Sequence, residues 1–158
     1  MILTGLVETI LPDPEATAAL GAAVARRLEI GEAVLLTGPL GAGKSALARG
    51  LVRALAGGHE DVPSPTFTLV QFYDTAPPVA HFDLYRLEHA SEAREIGLEE
   101  ALDHGAAAVE WPDRLSDAEW GRLAPDRLAI ELSHDGDGRR ARLTPFGAWI
   151  GRELNVGS

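Results

Sequence analysis

Apolar residues recur along this chain in two rhythms, one suited to strands and one to helices. From Thr4 to Ile10, Leu6, Val7 and Ile10 are interleaved with Thr and Glu, which predicts a strand ended by Leu11-Pro12. Asp13 follows in N-cap position, with Pro14 at the first helical position and Glu15 in the first turn. Leu20, Val24 and Leu28 mark the buried stripe of that helix, and Gly31 closes it. Ala33-Val34-Leu35-Leu36 is a short, wholly apolar strand. Leu47, Leu51 and Leu55, with Ala48 and Val52 beside them, then predict a second helix running to Ala56 and stopped by Gly57-Gly58.

The rhythm shortens in the second half. Pro63 and Pro65 flank Ser64 and hold the backbone extended. Phe67 to Tyr73 reads as a strand, Pro77-Pro78 as a turn, and Val79 to Phe82 as a second strand ending at Asp83, so the pair predicts a hairpin with a long loop. Short helices are expected from Ser91, as N-cap, to Ile96 and from Leu98 to Asp103. Ala106 to Val109 is a small-residue buried strand with Glu110-Trp111-Pro112 at its C-terminal end. Leu128 to Ser133 and Arg140 to Thr144 are strands joined by the turn Asp135-Gly136-Asp137-Gly138. Pro145 is expected to start a last amphipathic turn or helix carrying Trp149, Ile150 and Leu154. Together these elements predict an α/β fold: a three-layer sheet, parallel around its centre and antiparallel at the flanks.

Between the apolar strand and the second helix lies Gly38-Pro39-Leu40-Gly41-Ala42-Gly43-Lys44-Ser45. The pattern G-x-x-x-x-G-K-S, set between strand and helix, is that of a nucleotide phosphate-binding loop. Its glycines let backbone N–H groups turn inward around an anion, and the helix adds the positive end of its dipole. Gly38, Gly41, Ala42, Gly43, Lys44, Ser45 and Ala46 are the expected phosphate-binding residues. Lys44 would reach the outer phosphates as a point charge, and the Ser45 hydroxyl would ligate Mg²⁺. Lys44 is the only lysine beside 13 arginines.

At 158 residues and without cysteine, one domain spanning 1–158 is expected, with no disulfide framework and no thiolate metal site. No run approaches transmembrane length and no signal pattern opens the chain, so a cytoplasmic protein with no membrane partner is expected. A net charge of −10 argues against gripping nucleic acid alone; Arg139-Arg140-Ala141-Arg142 reads as solvated strand surface.

Nucleotide hydrolysis also requires carboxylates at the metal and the attacking water. Asp83 and Glu110 each end an apolar strand, where a metal-shell or water-positioning carboxylate belongs; the plainer alternatives are a turn cap and an exposed strand end. Thr66, in its proline-stiffened loop, is a candidate switch threonine closing on Mg²⁺ and the γ-phosphate. Trp111 either covers the nucleotide, presents a partner surface or is a half-buried core residue. His81, two residues before Asp83, is placed to orient that carboxylate or to serve structurally. Metal-ligand spacing is absent among the histidines. A GTPase is excluded, because Asn-Lys-x-Asp needs a second lysine. A small-molecule kinase remains open, although Arg86, Arg94 and Arg114 do not form a lid, and so does a nucleotide-gated binding module.

The set Gly38 to Ser45, Ser64-Pro-Thr-Phe-Thr-Leu69, His81-Phe-Asp-Leu-Tyr-Arg-Leu87 and Val109-Glu-Trp-Pro112 resembles the TsaE (YjeE) family, over about three quarters of the chain. The resemblance implies a small P-loop ATPase, weak alone, with ATP and Mg²⁺ as cofactors. It implies action with the TsaB–TsaD pair in forming threonylcarbamoyladenosine next to the tRNA anticodon, with tRNA reached through the complex and the isolated chain a monomer. Carried over by motif, Lys44 and Ser45 bind phosphate and Mg²⁺, Thr66 sits in a switch-like loop, Asp83 and Glu110 serve the metal and the hydrolytic water, and Trp111 lies near the nucleotide. This chain departs from the family loop at Pro39, where Asp is usual, and at Ser45, where Thr is usual.

Overall fold

The computed structural model describes residues 1–57, 70–89 and 91–156. Its frame is a seven-stranded sheet built from β1 (Val7–Leu11), β2 (Ala33–Thr37), β3 (Val70–Tyr73), β4 (Val79–Asp83), β5 (Ala106–Glu110), β6 (Arg127–Asp135) and β7 (Gly138–Phe146), in the order β1-β7-β6-β2-β5-β4-β3. β2 pairs in parallel with β5 and with β6, and β4 in parallel with β5. The flanks are antiparallel: β3 on β4, β7 on β6 and β1 on β7. This is the mixed α/β sheet that the pattern predicts.

Helices α1 (Pro14–Ala25) and α2 (Lys44–Leu55) cover one face, packing on Leu11, Val34, Leu36, Ile130, Leu132 and Leu143. On the other face α3 (Ser91–Glu95), α4 (Leu98–His104) and α5 (Asp117–Leu123) pack on Ala33, Leu35, Ala80, Phe82, Ala107 and Val109. Among the described residues this second layer packs on β2, β5 and β4, with Val70 of β3 partly buried at its edge. Over β6, β7 and β1 the outer face instead carries half-exposed charges, with Arg142 contacting Glu8 at 3.2 Å and Glu131 at 3.6 Å, and Arg140 contacting Glu8 at 3.3 Å. The fold is therefore three-layered over one half of the sheet and two-layered over the other. Among the described residues no helix is long and apolar enough to cross a membrane.

Local sequence explains most element ends. The Asp13 side chain accepts from Ala16 N at 2.8 Å, capping α1 as expected. Helix α1 stops at Ala25 rather than near Gly31, yet Leu28 is still buried. β1 starts at Val7 rather than Thr4, Ser91 is the first residue of α3 rather than its cap, and the predicted start of β3 at Phe67 lies outside the described residues. Helix α5, not anticipated, carries a complete capping box: Ser116 accepts from Glu119 N at 3.1 Å, and the Glu119 carboxylate accepts from Ser116 N at 2.9 Å.

The expected C-terminal amphipathic turn or helix is a turn, and it starts after Pro145 rather than at it. Pro145 lies inside β7, opposite Leu128. β1 has already ended its pairing at Leu143, so on that side the missing N–H of Pro145 leaves no ladder bond unmade. A 3₁₀ turn at Gly147–Trp149 follows, and Glu153 bridges back to Ile2. Gly147 and Gly151 both take positive φ, which breaks any helix there. Trp149 and Leu154 are fully buried nonetheless.

Two glycines set the contact between α1 and α2. A Cβ at Gly21 would collide with the backbone of Leu47 and Leu51, and one at Gly50 with the backbone of Ala18. The helices meet backbone to backbone, which seats the start of α2 firmly against the sheet. Gly50→Ala should gain about 1 kcal/mol of helix propensity but lose more through overpacking, which typically costs about 1–3 kcal/mol. In α5 none of the described residues lies within 4 Å of a Cβ at Gly121, so Gly121→Ala should stabilise by about 0.5–1 kcal/mol. Urea denaturation should thus move the two midpoints in opposite directions.

Candidate functional site

The turn from β2 into α2 is built around Gly38, Gly41 and Gly43, with φ of 145°, 80° and 102°. These are left-handed values that side chains disfavour. At Gly38 a Cβ would also strike Leu132 O. Gly43 caps α2 in left-handed conformation, without a side-chain hydrogen bond to the first-turn amides. Those N–H groups and the helix dipole make an anion-binding end. Gly41, Gly43, Lys44, Ser45 and Ala46 line a cleft of about 420 Å³, while Ala42 is buried behind the loop with its N–H donating to Pro39 O at 3.1 Å. Pro39 contributes its carbonyl to the loop's own hydrogen bonding, a role that survives the loss of its N–H.

Lys44 is only 5% exposed. Its Nζ donates to Gly38 O and to Pro39 O (3.1 Å) and lies 4.2 Å from the centre of the Trp111 ring. Burial lowers its pKa below the usual lysine value, opposed by the carboxylates of Glu110 and Asp83.

The parallel pairing of β4 and β5 brings the two carboxylates together. Asp83 is in register with Glu110, and Glu110 with Leu36 at the end of β2. Ala80, Phe82, Ala107 and Val109 face α3–α5, so by alternation His81, Asp83 and Glu110 face α2. There the Ser45 hydroxyl donates to the Glu110 carboxylate, with Oγ 3.2 and 3.3 Å from its two oxygens. His81 Nε2 lies 2.6 Å from Glu110 Oε2. A carboxylate only accepts, so this nitrogen carries the proton, and Nδ1 is buried with no partner among the described residues. The expectation that His81 orients Asp83 is corrected: its hydrogen-bond partner is Glu110, on the neighbouring strand.

The Asp83 pKa is raised, first by burial and further by the Glu110 charge. A hydrogen bond from Tyr85 N (3.1 Å) and the Lys44 charge act the other way. Trp111 packs its ring 4.9 Å from that of Tyr85. It holds φ 58° and ψ 49°, the only positive φ outside glycine among the described residues. Thr66 lies outside the described residues.

Lys44, Ser45, Asp83, Glu110 and Trp111 thus line one cleft. Among the described residues no group of three His, Cys, Asp or Glu could hold a metal by itself. One hydroxyl and two carboxylates beside an anion cradle nevertheless suit Mg²⁺, which takes one or two carboxylates, keeps waters and uses substrate phosphates for the rest. Sequence reasoning missed Arg139, which also lines the cleft and donates to Gly41 O at 2.9 Å. Its signal was the alternation of β7, which turns Arg139 away from Arg140 and Arg142.

The family model "Threonylcarbamoyl adenosine biosynthesis protein TsaE" matches residues 11–142. The chain belongs to the TsaE family. A TsaE of the cyanobacterium Nostoc is 35% identical over 95% of this chain and 93% of its own length. One from Synechocystis is 43% identical over 69% and 72%, and one from Rickettsia felis 39% over 78% and 70%. A crystal structure of Bacillus subtilis YdiB superposes with a TM-score of 0.71 at 27% identity, covering 93% of this chain and 88% of that one.

Because the Asp83 pKa is raised on folding, the folded chain holds more protons than the unfolded chain above the ordinary value of 3.8. Stability contributed by this group therefore falls as pH rises through that window. Asp83→Asn keeps an Oδ1 acceptor for Tyr85 N without the charge. It should melt above wild type at pH 7, and the gap should narrow by pH 4. Thermal melts at the two pH values check the sign.

Proposed function

We propose that the chain is an Mg²⁺-dependent ATPase, one domain over 1–158, that supports threonylcarbamoyladenosine formation on tRNA together with the TsaB–TsaD pair. Membership of the TsaE family supports the pathway. The observation that carries the hydrolytic reading is the Glu110 carboxylate, fixed between His81 Nε2 and Ser45 Oγ at the first turn of α2.

In this reading the amides of the Gly41–Ala46 turn bind the phosphates. Lys44 exchanges its two loop carbonyls for phosphate oxygens and neutralises their charge. Ser45 and Asp83 are the residues that would hold Mg²⁺, with Glu110 beside them. When bound there, the ion would supply neutralisation of phosphate charge. Glu110 accepts the proton of the attacking water. His81 fixes which Glu110 oxygen remains available. The Trp111 ring shields Lys44 from solvent, so that its charge acts in a drier site.

Net charge of −10 leaves tRNA recognition to the partners. ATP hydrolysis with and without the TsaB–TsaD pair and tRNA tests the function: turnover should rise with the complex, and a rate independent of it would reject the assignment. Lys44→Ala should lose ATP binding. Glu110→Gln should bind ATP within a few-fold of wild type, with turnover reduced about 10²–10⁴-fold. His81→Ala should lower kcat with little change in KM, and His81→Gln, which retains a side-chain N–H donor, should recover part of the loss. Steady-state kinetics separate these outcomes.

A further inference from the structure

Arg114 stands just outside the cleft, and its hydrogen bond reaches back to the strand end that carries Asp83. It closes the 3₁₀ turn Pro112–Arg114, which follows β5. Its Nη2 donates to Tyr85 O at 2.7 Å, and its guanidinium carbon lies 5.8 Å from the centre of the Tyr85 ring. We propose that Arg114 is a positioning residue for hydrolysis: by holding Tyr85 it fixes the Asp83 carboxylate and the Trp111 ring together. This inference rests on the Mg²⁺-dependent ATPase reading above.

Three observations carry it. First, Tyr85 touches both groups. Its N–H donates to Asp83 Oδ1 at 3.1 Å, and its ring lies 4.9 Å from that of Trp111, which in turn lies 4.2 Å from Lys44 Nζ. Displacing the Tyr85 peptide therefore frees a carboxylate of the metal edge and the wall beside the lysine at once. Second, Tyr85 has little interior hold of its own. Its side chain is 49% exposed, whereas Leu84 and Leu87 on either side are buried, and Leu84 N donates to Glu110 O at 3.0 Å. The turn is anchored from inside at its leucines, and Arg114 supplies the hold from outside. Third, Arg114 works from a fixed base. The buried indole of Trp120, in α5, donates to Pro112 O at 2.8 Å, and Leu115 is buried directly after the turn. On that base a guanidinium that grips a carbonyl and faces the ring of the same residue keeps one orientation. Neither Arg114 nor Tyr85 lines the cleft, so Arg114 acts through Tyr85 and not on the ligand.

Two measurements on the full chain test the clamp. Without nucleotide or metal, amide hydrogen exchange across residues 83–87 should quicken about ten-fold in Arg114→Ala, with β2 and α2 unchanged and the melting temperature within about 3 °C of wild type. In ATP hydrolysis, the same variant should need about ten-fold more Mg²⁺ for half-maximal rate, while KM for ATP at saturating Mg²⁺ stays within about two-fold. Arg114→Lys, which keeps a donor for Tyr85 O, should recover part of both changes. Unchanged exchange at 83–87, or an unchanged Mg²⁺ requirement, would overturn the proposal. So would faster exchange throughout the chain with no rescue by lysine, the mark of a general loss of stability. Wild type that hydrolyses no ATP, alone or with the TsaB–TsaD pair and tRNA, would instead sink the ATPase reading, and the exchange result would then decide the clamp alone.

Discussion

A buried lysine and a buried glutamate, 5% and 4% exposed, sit at the same strand ends. Charges withdrawn from water to that degree persist only when other groups replace the lost solvation. Around Glu110 the replacement is a hydroxyl and an imidazole N–H. Around Lys44 it is two carbonyls of the phosphate loop and the face of Trp111. Each partner comes from a different element. The parallel register of β4, β5 and β2 supplies His81 and Glu110, the glycine turn supplies the carbonyls, and α2 supplies Ser45 and Lys44. The sheet order and the loop conformation are thus jointly required by one pair of charges.

That requirement explains why glycine is spent where it is. The loop needs positive φ at Gly38, Gly41 and Gly43 to aim amides and carbonyls inward. Behind it, Gly21 and Gly50 let α1 and α2 touch through their backbones. The loop is held from below by helix contact, and from the side by Arg139, which spans from β7 to Gly41 O. A cradle whose own residues are mostly glycine gains its rigidity from these neighbours.

The phosphate loop, both hairpins and the capped start of α1 were legible because each is written in local sequence. The capping box of α5 was equally local: Ser116 and Glu119 stand three apart ahead of the buried Trp120, and the signal was passed over. At the C-terminus Trp149, Ile150 and Leu154 left a turn and a helix both open, and the turn that forms is set by Gly147, Gly151 and the bridge to Ile2. The partner of His81 could not be read from spacing along one strand. His81 sits two residues before Asp83 but reaches across to the adjacent strand, and that choice depends on a register that only the folded sheet defines. Arg139 was hidden in the same way, inside a cluster of arginines whose other members face solvent ion pairs.

Several unfavourable features of the fold meet at the cleft, although Trp149 Nε1 in the C-terminal turn is likewise buried with no partner among the described residues. Trp111 holds a left-handed backbone, His81 Nδ1 is buried with no partner among the described residues, and burial opposes the charged forms of both Lys44 and Asp83. Left-handed backbone in a residue other than glycine costs about 1–2 kcal/mol, and an unpaired buried polar atom about 1–3 kcal/mol. Elsewhere α1 and α5 begin at side-chain caps. Trp111, His81, Lys44 and Asp83 all line or back a single cleft. A preorganised site holds its groups in place before any ligand arrives, and here that cost is carried by a well-packed core.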